Sequence, residues 1–78
     1  MKEIELKDVE LIVREVFPKA NFNVPLQDLK LGDIEEWDSL GNFNLLLAFE
    51  EFYGFRFSID DMADLKSIAN IITAIQRK

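Results

Sequence analysis

The stretch Asp38-Ser39-Leu40-Gly41-Asn42-Phe43-Asn44-Leu45-Leu46-Leu47-Ala48-Phe49-Glu50-Glu51-Phe52-Tyr53-Gly54 decides the fold. Asp38 is a strong N-cap residue, because its carboxylate can accept from the orphan N–H groups of a first helical turn. Gly54 suits the left-handed residue that closes a helix. Between them the spacing predicts a helix from about Ser39 to Tyr53. Leu40, Phe43, Leu46, Leu47 and Phe49 or Tyr53 are expected to form its main apolar face. Leu45 and Phe52 widen that face almost to a full circle, which suits a central helix touched by several others.

Upstream, the apolar residues Leu6, Val9, Ile12, Val13, Val16 and Phe17 recur at three-and-four spacing. They predict a first helix over about Glu5 to Phe17, stopped by Pro18. A long connection from Pro18 to Trp37 follows, with Pro25, Gly32 and several Asn and Asp residues. A loop of that length in a compact domain is packed or functional. Phe22, Val24, Leu26, Leu29, Leu31 and Ile34 are expected to pin it over the core. Trp37 is expected to cover the loop–helix junction, with a direct part in enzyme recognition as the alternative.

Downstream, Ser58 and Asp61 predict a capped short helix near Ile59 to Ala63. Asp64 is then expected to cap a last helix, about Leu65 to Arg77, with Leu65, Ile68, Ala69, Ile71, Ile72 and Ile75 on its face. Arg77 and Lys78 suit the negative end of its dipole. Phe55-Arg56-Phe57 alternates, but it is too short for a strand. The reading is one all-α domain over residues 1–78: three main helices, one short helix and a long first loop.

The bulk chemistry narrows the function. The 78 residues include no cysteine and no histidine. That removes disulfides, thiolate metal sites and the usual general acid–base and triad residues. A small enzyme is therefore disfavoured. The net charge of −6 argues against nucleic acid and against anionic membrane surfaces. The opening residues show no apolar run long enough for a signal peptide or spanning helix, so the expected location is cytoplasmic. Asp33, Glu35 and Trp37 begin like a calcium loop, but Asp38 stands where such a loop needs Gly. Asp60, Asp61 and Asp64 lack an organised ligand set, so no metal site is expected.

Between Asp33 and Asp64 nine carboxylates face only Arg56, a local excess of −8 that leaves +2 for the rest of the chain. This half of the molecule favours partners with basic patches.

Asp38-Ser39-Leu40 follows the long loop and opens the apolar helix. Ala48-Phe49-Glu50-Glu51-Phe52-Tyr53-Gly54 ends that helix, and Leu65-Lys66-Ser67-Ile68 follows the short one. In these motifs and their spacing, from Leu6 to Ile75, the chain resembles the acyl carrier protein family. From Asp38 and Ser39 alone, a simple helix cap explains the residues as well.

The resemblance implies a four-helix acyl-carrier-like bundle and a monomer. It implies a 4′-phosphopantetheine arm on Ser39, flanked by Asp38 and Leu40. A phosphopantetheinyl transferase would attach the arm, and acyl- or aminoacyl-loading and transferring enzymes would use it. Asp38, Glu50 and Glu51 would dock those partners. The carried group would sit among Phe43, Leu46, Leu47, Phe49, Phe57, Met62, Leu65 and Ile71. Gly41 and Asn44 stand where fatty-acid carriers have acids, which points from general fatty acid biosynthesis to a specialised lipid or polyketide pathway. The heavy aromatic content after Phe43 points to short, polar or aminoacyl cargo. An aminoacyl or D-alanyl carrier shares these features. An unmodified acidic interaction domain is the competing class.

Overall fold

The computed structural model describes residues 4–21 and 24–77. Four helices follow one another: α1 (Leu6–Val16), α2 (Ser39–Tyr53), α3 (Ile59–Asp64) and α4 (Ile68–Gln76). A single 3-10 turn, Leu26–Asp28, interrupts the long loop. The fold is all-α, and among the described residues no helix is long and apolar enough to cross a membrane.

Local chemistry explains most of the ends. Asp38 caps α2, accepting at Oδ1 from the Gly41 N–H at 2.8 Å. Gly54 closes it with φ +70°, a conformation that a side chain would strain. Ser58 and Asp61 form a reciprocal capping box on α3.

α4 differs from the expectation. It begins at Ile68, capped by Ser67, and Asp64 is the last residue of α3. Leu65 is extended (φ −82°, ψ 102°), and the segment after it pairs with the long loop. The Leu31 N–H donates to the Lys66 carbonyl at 2.8 Å, and the Ile68 N–H donates to the Leu29 carbonyl at 3.0 Å. Lys30 and Ser67 face each other as one isolated antiparallel bridge. These backbone bonds hold residues 65–67 outside any helix. Ala69, expected on the inner face of α4, is exposed, while Ile68, Ile71 and Ile75 are fully buried.

α1 and α2 run antiparallel. Phe17, just past the end of α1, stacks on Trp37, just before α2 (ring centroids 6.0 Å apart). Tyr53, at the end of α2, feels the carboxylates of Asp8 and Glu5 at the start of α1. The core joins Val9, Ile12 and Val13 of α1 to Leu45, Leu46 and Phe49 of α2, and to the three isoleucines of α4. Leu29, Ile34 and Trp37 seal it from the loop. Leu26 and Leu31 pack on it in part, Val24 is exposed, and Phe22 lies outside the described residues.

Partial burial pushes the Tyr53 hydroxyl above its ordinary value of 10.0, and Asp8 and Glu5 add to the rise. Tyr53 is the sole tyrosine, so phenolate absorbance reads it alone. An alkaline titration is expected to show a midpoint above 10.0. Because the folded value is the raised one, the associated stability is intact below about pH 10 and is lost as pH climbs through the folded value. A midpoint at or below 10.0 would show that Tyr53 does not pack against the acidic start of α1.

Candidate functional site

Ser39 is the first residue of α2 and is exposed. No described hydrogen bond engages its hydroxyl. Of the first four N–H groups of the helix, Gly41 donates to Asp38 Oδ1 and Asn42 to the Asp38 carbonyl (both 2.8 Å). The N–H groups of Ser39 and Leu40 have no such partner in the helix or its cap. The serine thus sits at the positive end of a helix with two donors to spare, a setting that favours an attached or bound phosphate.

The base beneath Ser39 is tied by several hydrogen bonds. Trp37 is fully buried. Its N–H donates to the Ile34 carbonyl at 2.9 Å, and its carbonyl accepts from the Gly32 N–H at 3.0 Å. Its indole Nε1–H donates to Asn42 Oδ1 at 2.9 Å. Asn42 is only 5 % exposed, and its Nδ2 donates to the Leu65 carbonyl at 2.9 Å. One amide therefore ties the loop, the first turn of α2 and the segment before α4 together. Both partners are buried, so each bond protects the other groups from going unsatisfied.

Gly41 has a second duty. A Cβ there would collide with the Glu36 carbonyl oxygen and lie 3.0 Å from Phe17 Cε1. The loop crosses the helix too closely for a side chain. The absence of an acid at this position is therefore a packing requirement of this chain.

The residues read from the sequence as a docking set differ in their surroundings. Asp38 is the cap. Glu50 is half-buried and accepts at Oε2 from the Phe57 N–H at 2.6 Å, which folds residues 54–57 back on α2. Glu51 is exposed beside the α1–α2 groove. The expected pocket residues divide as well. Leu46, Phe49 and Ile71 are fully buried, Phe57 and Leu65 nearly so, and Met62 in part. Phe43 and Leu47, at 46 % and 41 % exposed, face solvent together with Leu40 at 69 %. Asn42, Leu45, Leu46 and Phe49 turn inward, and helical rotation then carries positions 40, 43 and 47 outward. The expected apolar face of α2 is corrected accordingly: half of it is an outer stripe.

Asn42 and Gly41 are the site residues that sequence reasoning missed as structural parts. The available signal was a polar residue inside an apolar run, four residues after the cap. Among the described residues no cluster of carboxylates could hold a metal ion. No family model matches the chain, and no curated protein or solved structure matches it.

Proposed function

We propose that the chain is a free-standing acyl carrier protein, with 4′-phosphopantetheine attached to Ser39. The observation that carries this reading is the exposed Ser39 hydroxyl at the start of α2, beside two N–H groups left over by the Asp38 cap. The sequence resemblance around Asp38-Ser39-Leu40 supports the same assignment. The residues fit the group. The serine offers an accessible oxygen, and the helix end offers donors and positive potential for the phosphodiester. When attached, the arm supplies the thiol that this cysteine-free chain lacks and carries acyl groups as thioesters.

In the attachment step the Ser39 Oγ–P bond forms as the pyrophosphate P–O bond of coenzyme A breaks. The nucleoside bisphosphate leaves, and the hydroxyl proton passes to the transferase or solvent. The exposed stripe of Leu40, Phe43 and Leu47 adjoins Ser39 and offers an apolar landing for the transferase and the loading enzymes. Leu46, Phe49 and Ile71 are fully buried in the core. The aromatic weight of Phe43, Phe49, Phe52, Tyr53, Phe55 and Phe57 supports a short, polar or aminoacyl cargo, and the aminoacyl carrier is included in this reading.

The test is intact mass after incubation with coenzyme A, magnesium and a broad-specificity phosphopantetheinyl transferase. The wild type is expected to gain one phosphopantetheine, and Ser39→Ala none. Ser39→Ala should still fold within about 0.5 kcal/mol of wild type, because Asp38 supplies the cap. No gain on either protein, with a known carrier modified alongside, would overturn the proposal in favour of an unmodified interaction domain. A gain on both would place the arm elsewhere.

A further inference from the structure

A second surface lies away from Ser39. α1 and α2 leave a hollow of about 330 Å³ between them, lined by Ile12, Glu15, Ala48, Glu51 and Phe52. Ile12 and Ala48 form its apolar floor, the first buried and the second half-buried. Phe52 forms a wall and is 53 % exposed, with its ring set edge-on against Tyr53 at 4.8 Å. Glu15 and Glu51 stand exposed on the rim. Neither forms an ion pair among the described residues. The α1 cations are engaged elsewhere: Lys7 pairs with Glu5 at 3.4 Å and Arg14 with Glu10 at 2.9 Å.

We propose that this groove docks a cationic amphipathic helix of a protein partner, one apolar side chain seated on Ile12, Ala48 and Phe52, its flanking Lys or Arg on Glu15 and Glu51. Charge complementarity selects the occupant. An anionic lipid surface or nucleic acid would meet two uncompensated carboxylates. A second copy of this chain would bring a further −6. A partner helix laid in a groove supplies both the apolar anchor and the flanking charges. Phe52 lies 13 residues beyond Ser39 on the same helix, about 20 Å along its axis at 1.5 Å per residue. The two surfaces can therefore be engaged together, and this one is independent of any modification at Ser39.

The test titrates the isotopically labelled full chain with a synthetic helical peptide bearing leucines on one face and lysines on both flanks, followed by amide shifts. The largest shifts are expected at Ile12, Glu15, Ala48, Glu51 and Phe52. Glu15→Gln/Glu51→Gln should weaken binding about tenfold, the scale of two rim charge pairs. Phe52→Ser should weaken it comparably while the rest of the spectrum keeps its folded pattern. Asp60→Asn/Asp64→Asn, an equal charge change on α3, should alter it less than twofold. Three outcomes would overturn the proposal. They are equal loss of binding in the two double variants, shifts centred on Leu40, Phe43 and Leu47, and a groove response to protein concentration alone, which would mean self-association.

Discussion

Trp37→Ala is expected to remove most of the stability of this domain. The indole is fully buried against Phe17, in a site closed by the loop and the first turn of α2. Truncating a buried aromatic to alanine costs about 3–5 kcal/mol in transfer and cavity terms. Here the change also strands Asn42 Oδ1, whose donor is the indole N–H, and an unsatisfied buried acceptor costs about 1–3 kcal/mol more. A chain of 78 residues has a total of only about 4–12 kcal/mol to lose, at roughly 0.05–0.15 kcal/mol per residue. Urea unfolding followed by far-UV circular dichroism should show a broad or absent folded baseline for the variant. Trp37→Phe separates the two causes. It keeps a ring on Phe17, deletes the donor and leaves a smaller void than alanine does, so it should lose about 1–3 kcal/mol for the stranded acceptor plus a smaller cavity cost, and less in total than Trp37→Ala. A loss below about 2 kcal/mol for Trp37→Ala would show that the loop carries little of the fold's stability.

The same residue marks what the sequence makes legible. Its position before a capped helix, beside an apolar loop, is enough to predict a packing role. Asp38, Gly54 and the Ser58–Asp61 pair are likewise visible, because caps act within three or four residues and their chemistry is local. Asn42 is not legible in the same way. Its partners lie 5 and 23 residues away, and an amide in an apolar helix reads as a solvent-facing position until the neighbours are known. The start of α4 fails for a related reason. Asp64 and Ser67 are both good caps, and the choice falls to Ser67 because the backbones of Lys66 and Ile68 on either side of it are already bonded to Leu31 and Leu29 of the distant loop. α2 defeats periodicity differently: with apolar residues on nearly every side, the pattern cannot tell the face of Leu45, Leu46 and Phe49 from that of Leu40, Phe43 and Leu47. At the candidate site, the placement of Ser39 on a helix N-terminus was readable. The half-buried tie from Glu50 to Phe57 was not, since an acid near a helix end looks like surface charge.

Gly41→Ala provides a sharper trial, because two physical effects predict opposite signs. Inside a helix, alanine is favoured over glycine by about 1 kcal/mol, so propensity alone predicts a more stable protein. Packing predicts the reverse. The new methyl would run into the Glu36 carbonyl oxygen and press on Phe17 Cε1 at 3.0 Å. A ring edge can give by a few tenths of an ångström. A backbone carbonyl moves only if residues around Glu36 move with it, and those residues lead directly into buried Trp37 and the Asp38 cap. Overpacking of this kind costs about 1–3 kcal/mol, occasionally more, and the backbone collision places this case at the upper end. Packing should therefore win, with a net loss of about 2 kcal/mol in urea unfolding. Amide shifts should change at residues 36–42 while the buried face of α4 stays undisturbed. A stabilised variant would mean that the loop yields easily at Glu36. The base under Ser39 would then be soft, and the serine's placement would owe more to the helix cap than to the loop that crosses it.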